Sequence, residues 1–180
     1  VPSYQQVDDM IHTPVNSELR NIWSWMFAGV NRANYILEFQ DKLDFEGKDI
    51  VLGQARFLRA YYYFELVKWF GDVPLVVDQR ILFGQQFEVD RTPKAEVYEQ
   101  IEQDLIYATN VLPLVQAEIG RVTKGAAQSL LGKVYLYQDK FSEASNALEN
   151  VINSGQYQLL TDDYANMFEN DYENNIESVF

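Results

Sequence analysis

The chain has 180 residues, no cysteine, and 27 acidic against 14 basic side chains, a formal net charge of −13. That acidity argues against a nucleic-acid partner, and the lack of cysteine excludes a disulfide framework and thiolate chemistry. At 47% hydrophobic and 14% aromatic the chain can bury a core as one domain, yet no apolar run reaches the roughly 18 residues of a membrane-spanning helix.

Residues 1–16 hold two prolines, Asp8-Asp9 and the single histidine, His12, with no sustained period, and read as loop. Asn16 or Ser17 then caps a helix expected over residues 17–43, with Ile22, Met26, Val30, Ala33 and Leu37 on one stripe. A short turn around Gly47 leads into the stretch that organises the rest. Residues 49–70 contain no proline and one glycine, and predict a single long helix. Val51, Ala55, Leu58, Tyr62, Glu65 and Trp69 recur at three- and four-residue steps, while Phe57, Phe64, Leu66, Val67 and Phe70 fill most of the remaining circumference. A helix apolar nearly all round belongs inside, so Leu58, Tyr62 and Leu66 are expected to be nearly solvent-free. Lys68 suits the carbonyl end of the helix dipole, Gly71 can take a left-handed cap, and Pro74 stops continuation. Leu75, Val76 and Val77 then run extended.

Residues 78–91 read as an irregular surface connection. Thr92 is expected to cap the next helix with Pro93 at its first position, Val97, Ile101, Leu105, Ala108 and Leu112 as its stripe and Pro113 at its end. Residues 116–121 form a loop around Gly120. Helices over 123–138 and 142–154 come next, with Gly155 closing the second. Leu131-Gly132 and Tyr135 precede Ala144 and Leu148 at tetratricopeptide spacing, where Gly132 would let two helices approach closely. The fold class expected is therefore all-α, stacked helical hairpins of tetratricopeptide-like type, with one such pair at about 123–154 and a short extended segment after the central helix.

Little here suggests catalysis. His12 alone cannot build a metal cluster or a conventional triad. No carboxylate pair is singled out as a glycosidase would require, and no glycine-rich phosphate loop occurs. Asp162 and Asp163, with Asn166 and Glu169, lack the glycine and glutamate of a calcium loop and read as a solvated turn. No cofactor is expected. Tyr61, Tyr62, Tyr63, Phe64, Trp69 and Trp23 sit at helical spacing and read as core, whereas Tyr4 and Trp25 are less determined by any stripe. Arg56 and Arg59, on a helix with little polar surface, need acceptors. Arg59 is expected to pair with Asp104, which interrupts an apolar stripe beside Leu105.

Residues 55–76, ARFLRAYYYFELVKWFGDVPLV, closely resemble a segment of SusD/RagB-family proteins with its spacing preserved. Residues 21–39, with Trp23 and Asn34 on matching positions, are similar to a second family segment, as are residues 91–113, 120–137 and the tail from Tyr157 through Tyr164, Met167, Phe168 and Tyr172. Phe27 stands where the family often has tyrosine. The resemblance implies a surface-exposed outer-membrane lipoprotein of Bacteroidetes-type bacteria that binds oligosaccharide or polysaccharide, is not an enzyme, and delivers its ligand to a SusC-like TonB-dependent transporter. It further implies that residues 1–180 are the N-terminal part of a longer protein whose lipid-bearing cysteine lies upstream. A tetratricopeptide-type protein-interaction adaptor and a carbohydrate-active hydrolase are the competing readings. Because the motif helices look like scaffold, ligand contacts are expected from the loop before the first long helix, with Tyr4 as the aromatic platform and Trp25 as second choice. Leu58, Arg59, Tyr62, Gly71, Pro74 and Asp104 are assigned structural roles.

Overall fold

The computed structural model describes residues 1–82, 84, 89–161, 165 and 173–179. They form six α-helices: α1 (Ser3–Asp8), α2 (Ser17–Glu38), α3 (Lys48–Phe70), α4 (Lys94–Val111), α5 (Lys124–Leu136) and α6 (Phe141–Ile152). From α2 onward each helix packs chiefly on its predecessor and its successor, giving the all-α hairpin stack. The tail residues Tyr164, Met167, Phe168 and Tyr172, and the group Asp162, Asp163, Asn166 and Glu169, lie outside the described residues.

Several boundaries differ from expectation for local reasons. The segment read as loop contains α1, a short surface helix with no buried residue. The helix expected to reach Leu43 ends at Glu38, and a 3-10 turn at Gln40–Lys42 comes after it. Thr92 does not cap α4. It makes an antiparallel bridge with Val73, and the cap comes from a distant residue: Asp72 accepts the Lys94 backbone N–H at 2.8 Å. Gly71 does end α3, but at φ +69° and ψ −120° it sits in a region open to glycine rather than in the left-handed helical well. Between α5 and α6 the close approach is real. A methyl group on Gly132 would stand 2.7 Å from Leu148.

The expected phase of α3 needs correction. Leu58 is 38% exposed, and Val51, Tyr61 and Trp69 are exposed with it. Burial falls instead on Leu52, Phe57, Ala60, Tyr63, Phe64, Leu66 and Val67. The stripe read from the sequence is rotated by about one residue, roughly 100°, from the faces that α2 and α4 cover. Tyr62 is half-buried, its ring lying where a side chain on Gly29 of α2 would have to go. Of the three residues expected to be solvent-free, only Leu66 is so.

A buried polar node ties the middle of the stack together. Arg59 Nε and Nη2 each donate to Asp104 at 2.7 Å, a two-point ion pair between α3 and α4. Arg59 is 3% exposed and Asp104 0%. The third guanidinium nitrogen, Nη1, donates to Asn34 Oδ1 of α2 at 2.9 Å and to the Val77 carbonyl at 2.8 Å. Asn34 Nδ2 donates in turn to the carbonyls of Val76 and Gln79. Tyr63 completes the set, its hydroxyl donating to the Val76 carbonyl and accepting the Val76 N–H. Thus the extended chain after Pro74, which pairs with no strand among the described residues, is held by side chains of α2 and α3. Arg56 lies over the Tyr107 ring and 3.4 Å from Asp104 on the flank of the same node.

Burial pushes the Tyr63 hydroxyl up to about 12 from its ordinary 10, with the Val76 bond and the nearby Arg59 opposing the shift. A phenol whose folded-state value is raised leaves stability intact below pH 10 and loses it as the pH climbs toward 12. Burial raises Tyr98, Tyr107 and Tyr135 in the same direction. The expected outcome is alkaline destabilisation of up to about 3 kcal/mol from Tyr63. It is read as a falling unfolding midpoint above pH 10 that Tyr63→Phe makes shallower.

Candidate functional site

The site begins at Asn16, whose amide has two jobs. Its Oδ1 accepts the backbone N–H groups of Glu18 and Leu19 and so starts α2. Its Nδ2 donates to the Ser3 carbonyl and to Gln6 Oε1 of α1. Ser3 Oγ adds a bond to Glu18 at 2.8 Å. With α1 fixed in this way, the segment from Val7 to Pro14 stands beside α2 and forms one wall of an open cleft of about 1050 Å³.

Leu19, Arg20 and Trp23 of α2 and Trp69 and Phe70 at the end of α3 form the opposite wall. Trp23 is braced by Phe70 (edge-on, 5.1 Å between ring centres) and by Phe27 (4.7 Å). Trp69 is 48% exposed. Its place is fixed by the end of α3, where Arg91 donates to the carbonyls of Phe70 and Asp72. The result is an apolar, aromatic surface edged by Asp8, His12, Thr13 and Arg20. Flat rings beside scattered polar groups suit a ligand with an apolar face and many hydroxyls.

The residues singled out from the sequence fall differently. Tyr4 is 70% exposed and Trp25 65%, and neither lines the cleft. Tyr4 stands one turn before Val7 and Asp8 on the same side of α1, whereas Trp25 is displaced about 200° around α2 from Trp23. Trp23, which packs against the main core as expected, and Trp69, expected in the core, stand on the cleft wall with Phe70. For Trp69 a signal was present: it occupies the last turn before Gly71, where a helix outruns the neighbours that would bury it. His12 lines the cleft, with Asp8 as the carboxylate among the described lining residues, short of the pair that glycoside hydrolysis uses. Among the described residues no group of three or more potential ligands could hold a metal ion, and no helix is long and apolar enough to cross a membrane.

Comparison with known proteins places this architecture. SusD-like protein P2 of Formosa agariphila is 33% identical over 159 residues, which are 86% of this chain and 31% of that protein. A SusD superfamily protein from Bacteroides vulgatus superposes with a TM-score of 0.90 at 29% identity, covering all of this chain and 39% of its own. A laminarin-binding SusD-like protein superposes with a TM-score of 0.80 at 34% identity, covering 89% of this chain and 37% of that one. The chain therefore spans about a third of the length of the relatives it matches. The SusD-like family described as starch-binding and associating with the outer membrane matches residues 3–136, and the chain belongs to that family.

Proposed function

We propose that these residues form the ligand-facing N-terminal part of a surface glycan-binding lipoprotein, which takes oligosaccharide into the cleft between the 7–14 segment and Trp69. The ligand then passes to a SusC-like TonB-dependent transporter, and a lipid anchor upstream of residue 1 keeps the protein on the outer face of the outer membrane. Binding there is capture without bond cleavage. The observation that carries this reading is the open cleft walled by Trp23, Trp69 and Phe70 in a chain of the SusD-like family. Tyr4, in line with the cleft wall on α1, would extend the platform for a longer sugar chain.

Calorimetric titration of the full-length protein with laminarin and a panel of other oligosaccharides tests the reading. Saturable binding is expected for at least one, with weaker binding by residues 1–180 alone because the remaining two thirds complete the site. A full-length protein that binds no saccharide ends the proposal. Equal affinity of the two forms would place the whole site within residues 1–180.

A further inference from the structure

The 7–14 wall of the cleft turns at a residue that local preference would not place there. Helix α1 ends in a Schellman arrangement, the Ile11 N–H donating to the Gln6 carbonyl at 2.9 Å and the Met10 N–H to the Val7 carbonyl at 3.1 Å. That pair of bonds needs a left-handed residue just past the helix, and Met10 takes the position at φ +56°. Glycine is the ordinary occupant, because a Cβ there crowds the following carbonyl. The other described non-glycine residues at positive φ are Asp139 and Asn174, whose short polar side chains tolerate it. A methionine side chain offers the backbone no such help. Nor does it serve the packing: Met10 is 82% exposed and stands outside both buried clusters. The apolar contact that often seals such a cap is not made either, since Ile11 is exposed and the position it would meet is Gln6. What the Met10 side chain does is line the cleft. Strain that no packing contact offsets points to a residue placed for what it touches.

We infer that Met10 is a ligand-contacting residue of the cleft, its thioether closing on the face of the sugar ring turned away from Trp69. This role rests on the saccharide reading of the cleft and adds to it a contact from the other wall. The lining residues from Val7 to Pro14 include no tryptophan, tyrosine or phenylalanine, so apolar cover on that side comes from aliphatic side chains. Of these Met10 is unbranched and polarisable, and it adapts to a curved sugar surface as a rigid ring does not.

Two measurements on the full-length protein test it, with a saccharide that the parent binds in the calorimetric titration. Met10→Gly and Met10→Asn both suit a left-handed backbone, so the thermal midpoint should hold or rise in each. Affinity should nevertheless fall by about fivefold or more, because the apolar contact is gone. Hydrogen peroxide converts exposed methionine to its sulfoxide, and saturating saccharide should slow that conversion at Met10 by about fivefold. Met26, packed against the core, provides the internal comparison and should be unaffected by the ligand. A midpoint lowered in both variants would make Met10 a structural residue and overturn the role. So would variants that bind within about twofold of the parent, or oxidation of Met10 indifferent to saccharide; any one of these results suffices. A parent that binds no saccharide ends the reading of the cleft and the role of Met10 with it, a result distinct from a parent that binds and variants that match it.

Discussion

Arg59→Met is expected to destabilise the protein by about 3–5 kcal/mol, measured as a fall in the denaturant midpoint. The side chain lost is an ion-pair partner, but the larger cost is the set of groups it leaves behind. Asp104 has no exposure to water, so its carboxylate would be stranded with Arg56 at 3.4 Å as its remaining described cation. Asn34 Oδ1 and the Val77 carbonyl would lose their donor at the same time. The double variant Arg59→Met with Asp104→Leu should recover much of the loss, because it removes the stranded charge as well as its partner. A single substitution costing less than about 1 kcal/mol would show that the node contributes little to stability.

Trp69→Ala is expected to weaken saccharide binding by about 30-fold or more, some 2 kcal/mol, the loss typical of truncating a tryptophan at the centre of a contact. Stability should change little, since nearly half of the side chain already meets solvent and the Arg91 contacts to the end of α3 use backbone carbonyls. That separation makes the measurement decisive: calorimetry reports the lost affinity while the thermal midpoint stays close to that of the parent. Trp25→Ala, on another side of α2, provides the comparison. If Trp25 rather than Trp69 governs affinity, the ligand lies outside the cleft.

Where sequence and structure agree, the reason is chemical specificity. Asn16 before a run of apolar residues and Thr123 before α5 each have one good use, and each is put to it, while glycine at position 71 ends α3 outside the left-handed helical well. Arg59 and Asp104 were similarly constrained, since a buried charge must find its opposite. The phase of α3 was not legible, because a helix apolar on every side offers no unique stripe, and only the placement of α2 and α4 decides that Leu58 stays near the surface while Tyr63 is sealed. The cap from Asp72 to Lys94 and the polar clamp on residues 76–79 join positions far apart in the chain, so no local pattern announces them. The cleft was half legible. The segment before α2 was the expected source of contacts, but the partner wall at Trp69 depends on where α3 ends relative to α2.

The two ends of the Asn16 amide can vary separately. Aspartate at this position would keep the acceptor that starts α2, and its charge would suit the positive end of the helix dipole. It would lack the N–H group that reaches the Ser3 carbonyl and the Gln6 side chain. One atom exchanged for another would thus loosen α1 without unwinding α2. Because α1 buries none of its residues, the wall it anchors can be lengthened, re-angled or rebuilt with small effect on the helical stack behind it. Such a surface can change its shape and chemistry while the scaffold is inherited whole.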